Sequence, residues 1–351
     1  MTDGHPSEAH PDESAMRLAI DESTAAVGLS SPNPPVGAVI VAPDGTVVGR
    51  GHTQEAGGPH AEVMALADAG AAASGATAVV TLEPCDHTGR TGPCSTALLD
   101  AGIARVVYAL DDPTPTAAGG ARRLADAGVA VTGGVLAADA ASGPLRQWLF
   151  RQRHGRPFVT VKLAETLDGR IAAPDHTSRW ITGTDARARA HRQRAEVDAI
   201  VVGTGTVLAD DPSLTARTPA GELAPRQPIR VVMGRRDLPP QARITDDVAP
   251  LRHLRTHDPA EVVAALDDAL WVLVEGGPAI IGAFLAADLV DEIEAYIAPV
   301  VLGAGASSVA IPGVTTLTDA HRFTLTTAEQ LGGDALLRLT RAESDGSARP
   351  G

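Results

Sequence analysis

The strongest constraint on the fold is an alternation, made twice, of short apolar β-rich runs with helical segments of about ten residues. In the first set, apolar runs at 36–41, 46–51, 76–82, 105–110 and 129–132 alternate with helical spacing at 14–27, 60–69, 95–101 and 120–127. The turn Pro43-Asp44-Gly45 joins the first two runs as a hairpin. Asp12 and Ser14 are candidate caps for the first helix. The second set has runs at 158–164, 199–202, 229–233, 271–275, 293–297, 322–328 and 335–340, with helices at 185–196, 259–266 and 278–285. Each helix can bury its apolar stripe only against a sheet face, so the pattern demands layered α/β sheets. A basic amphipathic stretch, 145–156, carries Arg146, Arg151, Arg153, His154 and Arg156 between the two sets. The expected organisation is an unstructured leader over 1–13, domains over 14–150 and 151–341, and an unstructured tail over 342–351.

Composition narrows the partners. Lys and Arg number 29 against 43 Asp and Glu, a net charge of −14, and aromatic residues make up 3%. Such a chain is a poor electrostatic and stacking partner for nucleic acid or an anionic membrane. No apolar run reaches the ~18 residues of a spanning helix. Two cysteines in 351 residues are no disulfide framework, which makes the reducing cytoplasm the expected compartment.

Those two cysteines belong to a constellation. His60-Ala61-Glu62 opens a helix, Pro84-Cys85 follows a strand, and Cys94 lies nine residues on. One imidazole and two thiolates suit zinc and leave a fourth tetrahedral position for water. Bound Zn²⁺ lowers that water's pKa to ~7, so hydroxide is available at neutral pH. Glu62, two residues past His60, is placed to move the protons. The order is that of zinc nucleobase deaminases, with eight residues instead of two between the cysteines. The inserted loop carries His87 and Arg90, which suits an anionic substrate. A purely structural zinc normally has four protein ligands.

In the second set, the run at 199–202 breaks into Gly203 and Gly205 before Asp210-Asp211-Pro212. Read as a dinucleotide fingerprint this fails, for there is no third glycine, no clean following helix and no acid at the expected offset. The run at 271–275 enters Gly276-Gly277 and a helix, where free N–H groups favour phosphate. Arg179, Arg187, Arg189, Arg192, Arg194 and Arg217 concentrate positive charge, although one helix cannot aim them all at one site.

SPNPPVG (31–37), GGPHAEV (57–63) and TLEPCDHTGRTGPC (81–94) resemble the deaminase half of the bifunctional riboflavin-biosynthesis deaminase/reductases. VKLAETLDGRIA (161–172), SRWITG (178–183), GTGTVLADDPSLTAR (203–217), QPIRVV (227–232) and VEGGPAIIGAFL (274–285) resemble the reductase half. The resemblance implies an α/β chain, a cytidine-deaminase-like three-layer α/β/α domain followed by a dihydrofolate-reductase-like α/β domain. It implies zinc-dependent deamination of 2,5-diamino-6-(5-phosphoribosylamino)pyrimidin-4(3H)-one, then NADPH reduction of the ribosyl group of 5-amino-6-(5-phosphoribosylamino)uracil to ribityl. Residue by residue, it implies Glu62 as catalytic and His60, Cys85 and Cys94 as ligands of one zinc. It places Asn33 on the pyrimidine, and His87 and Arg90 near the phosphoribosyl group. Ala164, Trp180, Thr206, Asp210, Gly277, Pro278, Ala279, Ile280, Ile281 and Gly282 would line the NADPH site. Ser178, Arg194, Leu214, Arg217 and Glu275 would hold the phosphorylated sugar chain, with Lys162 near the reacting carbon. Assembly into homo-oligomers through the second domain is also implied. Pro35, Asp86, Gly92, Glu165 and Thr166 depart from the family's usual residues.

Three other readings stay open on sequence. A deaminase with a non-catalytic dimerisation or regulatory second domain predicts no NADPH binding. A tRNA or DNA base deaminase is opposed by the acidic balance. A non-enzymatic zinc protein would turn Glu62 away from the metal.

Overall fold

The computed structural model describes residues 10–89 and 92–341, which form two compact units divided between Gly155 and Arg156. Residues 1–9 of the expected leader, the tail after 341 and Arg90 lie outside the described residues.

In the first unit the order is α1 (Pro11–Ser23), β1 (Gly37–Val41), β2 (Val47–His52), α2 (Ala61–Ala69), β3 (Thr77–Leu82) and α3 (Cys94–Asp100). Then come β4 (Arg105–Leu110), α4 (Gly120–Asp126), β5 (Ala130–Thr132), α5 (Ala137–Ser142) and α6 (Arg146–His154). One sheet runs β2-β1-β3-β4-β5, antiparallel on either side of β1 and parallel from β3 to β5. Alternation along β1 sorts the helices to opposite faces. A Cβ on Gly37 would lie 2.1 Å from the Ala19 carbonyl of α1. Gly51, which pairs with the next residue, Ala38, faces α2, where a Cβ would meet Ala65 N at 2.4 Å. Three layers result, and their spacing depends on missing side chains. Gly37→Ala must push α1 off the sheet, and it is expected to lower the first unit's thermal midpoint by several degrees. An unchanged midpoint in calorimetry would contradict this packing.

Helix α1 corrects the leader boundary. It starts at Pro11, not at 14, because the His10 ring nitrogen accepts the Asp12 N–H at 3.3 Å. Asp12 is meanwhile held by both guanidinium nitrogens of Arg105, at 2.7 and 2.6 Å.

The second unit continues with β6 (Phe158–Thr166), β7 (Arg170–Ala172), α7 (Thr184–Glu196), β8 (Ala199–Gly203), α8 (Thr204–Asp210), β9 (Ile229–Met233) and β10 (Leu251–Leu254). It ends with α9 (Pro259–Ala264), β11 (Trp271–Val274), α10 (Pro278–Ala286), β12 (Glu292–Ala298), β13 (Ala306–Ser307), β14 (Phe323–Leu331) and β15 (Asp334–Arg341). Eight strands run β10-β9-β8-β11-β6-β12-β15-β14, the first six parallel and the last two antiparallel. β8 and β11 are buried at every position, which is why they read as unbroken apolar runs. Val201, Val231, Val272, Ile281 and Phe284 share their core. Helix α8 is a second correction, for a short helix does follow Gly203. Its start is hidden in sequence because Gly203 and Gly205 look like a loop, whereas Gly203 is small to admit Ile280, 2.8 Å from where its Cβ would stand.

Candidate active sites

In the first unit three chain segments converge at one end of the sheet. Gly37 N–H donates to Thr81 Oγ1 at 3.1 Å, which sets the Asn33 turn beside the chain leaving β3. That chain runs through Glu83 and Pro84 to Cys85. His60 is the N-cap of α2, and Cys94 is the first residue of α3. His60 Nδ1 lies 3.6 Å from Cys85 Sγ and 3.3 Å from Cys94 Sγ, and the three donor atoms fall within 4.8 Å of one another. Cys94 N–H donates to Cys85 Sγ at 3.4 Å, a bond that steadies a thiolate. Glu62 follows on α2 and is 4% exposed.

The charges are strongly shifted. The Cys94 thiol bonded to it, then His60, hold Cys85 far below the usual thiol range, while that shared bond and burial push Cys94 up. Cys85 also raises His60. Burial, then the charge of Cys85, lifts Glu62 from 4.5 to about 7.

In the second unit a cavity of about 490 Å³ opens between β6, α7 and the loop after α8. Lys162, Ala164, Ser178, Trp180, Arg194, Asp210, Leu214 and Arg217 all line it. Glu275, at the end of β11, is engaged from the cavity wall. Arg194 Nε and Nη2 donate to its two oxygens at 2.8 Å each, and Lys162 Nζ lies 3.6 Å away. Burial alone would raise Glu275; Arg194 first, then Lys162, outweigh it and hold it at about 2. Its carboxylate is thus spent on two cations that face the cavity. Thr206 meets α10, with its Oγ1 3.9 Å from where a Cβ on Gly277 would stand. Of the stretch after Gly277, Ile281 is buried in the core and Gly282 abuts the Ala310 carbonyl.

Known proteins carry the same two units in the same order along the chain. Residues 157–337 match the RibD C-terminal domain, and residues 9–110 match the cytidine and deoxycytidylate deaminase zinc-binding region. RibD of Mycobacterium tuberculosis strain H37Rv, a riboflavin biosynthesis protein, is 53% identical over 93% of this chain and 96% of its own. The chain belongs to the RibD family. Acinetobacter baumannii RibD superposes with a TM-score of 0.85 at 37% identity, covering 95% of this chain and 99% of that one. A Thermotoga maritima structure, at 0.86 and 31% identity with the same coverage, is titled a diaminohydroxyphosphoribosylaminopyrimidine deaminase/5-amino-6-(5-phosphoribosylamino)uracil reductase. As a RibD protein the chain is a bifunctional deaminase and reductase of riboflavin biosynthesis, with zinc in the first unit and NADPH in the second.

The RibD donor set fits the metal. Tetrahedral zinc with bonds of about 2.0 Å to nitrogen and 2.3 Å to sulfur puts nitrogen and sulfur about 3.5 Å apart, against the observed 3.6 and 3.3 Å. Two buried thiols and an imidazole turned onto both have no other evident use. His87 Nδ1 and Ser31 Oγ, in the flanking segments, are buried without a hydrogen-bond partner among the described residues. Asp86 is tied to Ser95 Oγ at 2.6 Å and Arg123 at 3.1 Å. His191, Arg243 and Tyr296 also line the reductase cavity and escaped sequence reading. His191 stands one helical turn before Arg194, and Tyr296 pairs with Ala164 across β12 and β6; the spacing was visible for the first and the register was not.

A pH test follows from Glu62. In metal-free protein its folded pKa of about 7 exceeds its ordinary 4.5, so the folded state holds the proton more tightly than the unfolded one. That stabilisation is full below the lower value and is lost as pH rises through the upper. Between about pH 5 and 8 the wild-type denaturation midpoint should fall more steeply than that of Glu62→Gln. Parallel profiles would contradict the burial of this carboxyl.

Proposed function

We propose that the first unit deaminates 2,5-diamino-6-(5-phosphoribosylamino)pyrimidin-4(3H)-one. The second then reduces the ribosyl group of 5-amino-6-(5-phosphoribosylamino)uracil to ribityl. The observation that carries the reading is a zinc-type donor set with buried Glu62 beside it, on a chain whose other unit walls a cavity with Lys162, Arg194 and Arg217.

His60, Cys85 and Cys94 would hold zinc, which supplies Lewis acidity toward the attacking water. Glu62 takes a proton as water oxygen bonds the ring carbon bearing the amine, and returns it to the ring nitrogen. The water's other proton leaves with the amine as ammonia when the carbon–nitrogen bond breaks. Asn33 would orient the pyrimidine, and His87 with Arg90 the phosphoribosyl end.

In the second unit NADPH, when bound, would supply the hydride for the ribosyl C1′. At the start of α10, next to Thr206, Gly277 and Ala279 offer backbone N–H groups suited to the cofactor's phosphates, and Pro278 and Ile280 would line the site beside them. Ala164, Trp180 and Asp210 would line its remainder. Arg194 and Arg217, with Ser178 and Leu214, would hold the phosphorylated sugar, and Glu275 acts through the two cations it fixes. Lys162 keeps a proton on the cavity wall for the ring oxygen as the sugar opens.

Offering the substrates separately tests both halves. The diaminopyrimidine should release ammonia without NADPH, and the aminouracil should oxidise NADPH without releasing ammonia. Either substrate left untouched would remove the corresponding activity.

We also place the protein in the cytoplasm, where Cys85 and Cys94, both free and buried, stay reduced. No helix among the described residues is long and apolar enough to cross a membrane. Homo-oligomerisation through the second unit is supported by edge strand β14, exposed at every interior position. Leu167 and Val301, 68% and 67% exposed, add apolar surface to this unit. Sedimentation equilibrium should give at least a dimer, and a monomer at micromolar concentration would contradict it.

A further inference from the structure

One acid in the TLEPC motif has no place in the chemistry above. Glu83 is 8% exposed and, among the described residues, has no cation on it; its carboxylate is filled by backbone instead. Gly119 N–H and Ala121 N–H donate to Oε1 at 3.1 and 3.0 Å, and Asp112 N–H donates to Oε2 at 3.2 Å. These donors come from the loop after β4 and the first turn of α4, whose own cap residue, Gly119, has no side chain to offer.

The consequence falls on Cys85. With Glu83 holding it, α4 presses so closely that a Cβ on Gly120 would lie 1.7 Å from the Pro84 carbonyl oxygen. The same loop accepts the next N–H, Asp86 to Ala117 O at 2.9 Å, and Ser95 N–H of α3 donates to Cys85 O at 3.1 Å. On either side of Cys85 the chain is thus set against the segment that Glu83 holds, Pro84 by its contact with Gly120 and Asp86 by its bond to Ala117. We propose that Glu83 is a positioning residue that orients Cys85 for zinc, through the α4 turn packed on Pro84. The proposal rests on the reading of Cys85 as a zinc ligand. Outer partners of this kind change metal affinity about 10–100-fold when removed.

The test uses the full chain, stripped of metal and titrated with Zn²⁺ against a chromophoric chelator. Glu83→Ala, which loses three bonds, should bind Zn²⁺ about 10–100-fold more weakly. Glu83→Gln retains an oxygen for Gly119 and Ala121 and should fall between wild type and alanine. At saturating Co²⁺ the ligand-field bands of both variants should move, because they report the geometry of the sulfur pair, which a mere loss of stability leaves alone. If Glu83→Ala does not fold by circular dichroism, Glu83→Gln carries the same test. Affinity within about twofold of wild type, or superimposable Co²⁺ bands, overturns the proposal. Cys85→Ser in the same titration separates the two readings. If it loses tight Zn²⁺ binding while the Glu83 variants keep it, only the positioning role fails. If it binds like wild type, the ligand assignment fails and the proposal falls with it.

Discussion

Glu62→Ala is expected to lower deamination by about 10²–10⁴-fold while the protein keeps about one zinc per chain. The size of the loss follows from the number of transfers this carboxylate serves, since one group both takes the proton from water and returns it to the ring. Retention of zinc follows from the donors, because His60 Nδ1, Cys85 Sγ and Cys94 Sγ close the set without Glu62. Glu62→Gln should be nearly as inactive, as it preserves volume and removes the proton acceptor. Reductase turnover with the aminouracil should be untouched by either change. Loss of zinc from Glu62→Ala, or deamination within tenfold of wild type, would remove Glu62 from the proton path.

Arg194→Ala has the second largest expected effect, on binding and stability together. The Arg194 side chain is 17% exposed and is joined to Glu275 by two 2.8 Å bonds. Without it Glu275 stays buried against Lys162 alone, at 3.6 Å. Removing one member of a buried pair costs about 3–5 kcal/mol, because the charge left behind is uncompensated. The reductase KM for the phosphorylated substrate should rise about tenfold, from the loss of a positive charge that Glu275 fixes on the cavity wall. Arg194→Lys should recover little, since an ammonium cannot bind the carboxylate in the same bidentate manner. Arg217 offers a control: it is half-buried, with Nη1 on the Gly221 carbonyl at 2.7 Å. Arg217→Ala should raise KM with little loss of stability. An unchanged KM in both variants would take the phosphate out of this part of the cavity.

How much was legible in the sequence depended on how local each signal was. Most strands and helices were legible because their periodicity is local, whereas the short strands β7, β10 and β13 are too brief to show one and were not read. Zinc was legible because few combinations of side chains bind it, and His60, Glu62, Cys85 and Cys94 lie on two short motifs. What escaped depends on contacts that sequence distance conceals. Helix α8 was missed because Gly203 at its start answers to Ile280 on α10, not to a turn. The start of α1 was missed because a histidine ring seldom caps a helix. Glu275 read as a substrate contact, yet its partner Arg194 is 81 residues away. Glu83 had no reading at all, since its partners are backbone N–H groups 29 to 38 residues on, and backbone donors carry no sequence signature.

The central claim is that two chemically separate steps are carried by one chain, and one experiment reaches it most directly. Purified protein is given the diaminopyrimidine substrate and NADPH, with ammonia and NADPH followed in the same sample. The account predicts that ammonia appears first, NADPH oxidation follows after a lag, and the two totals converge on one NADPH per ammonia. Ammonia released with no oxidation of NADPH would contradict it and leave the second unit a scaffold.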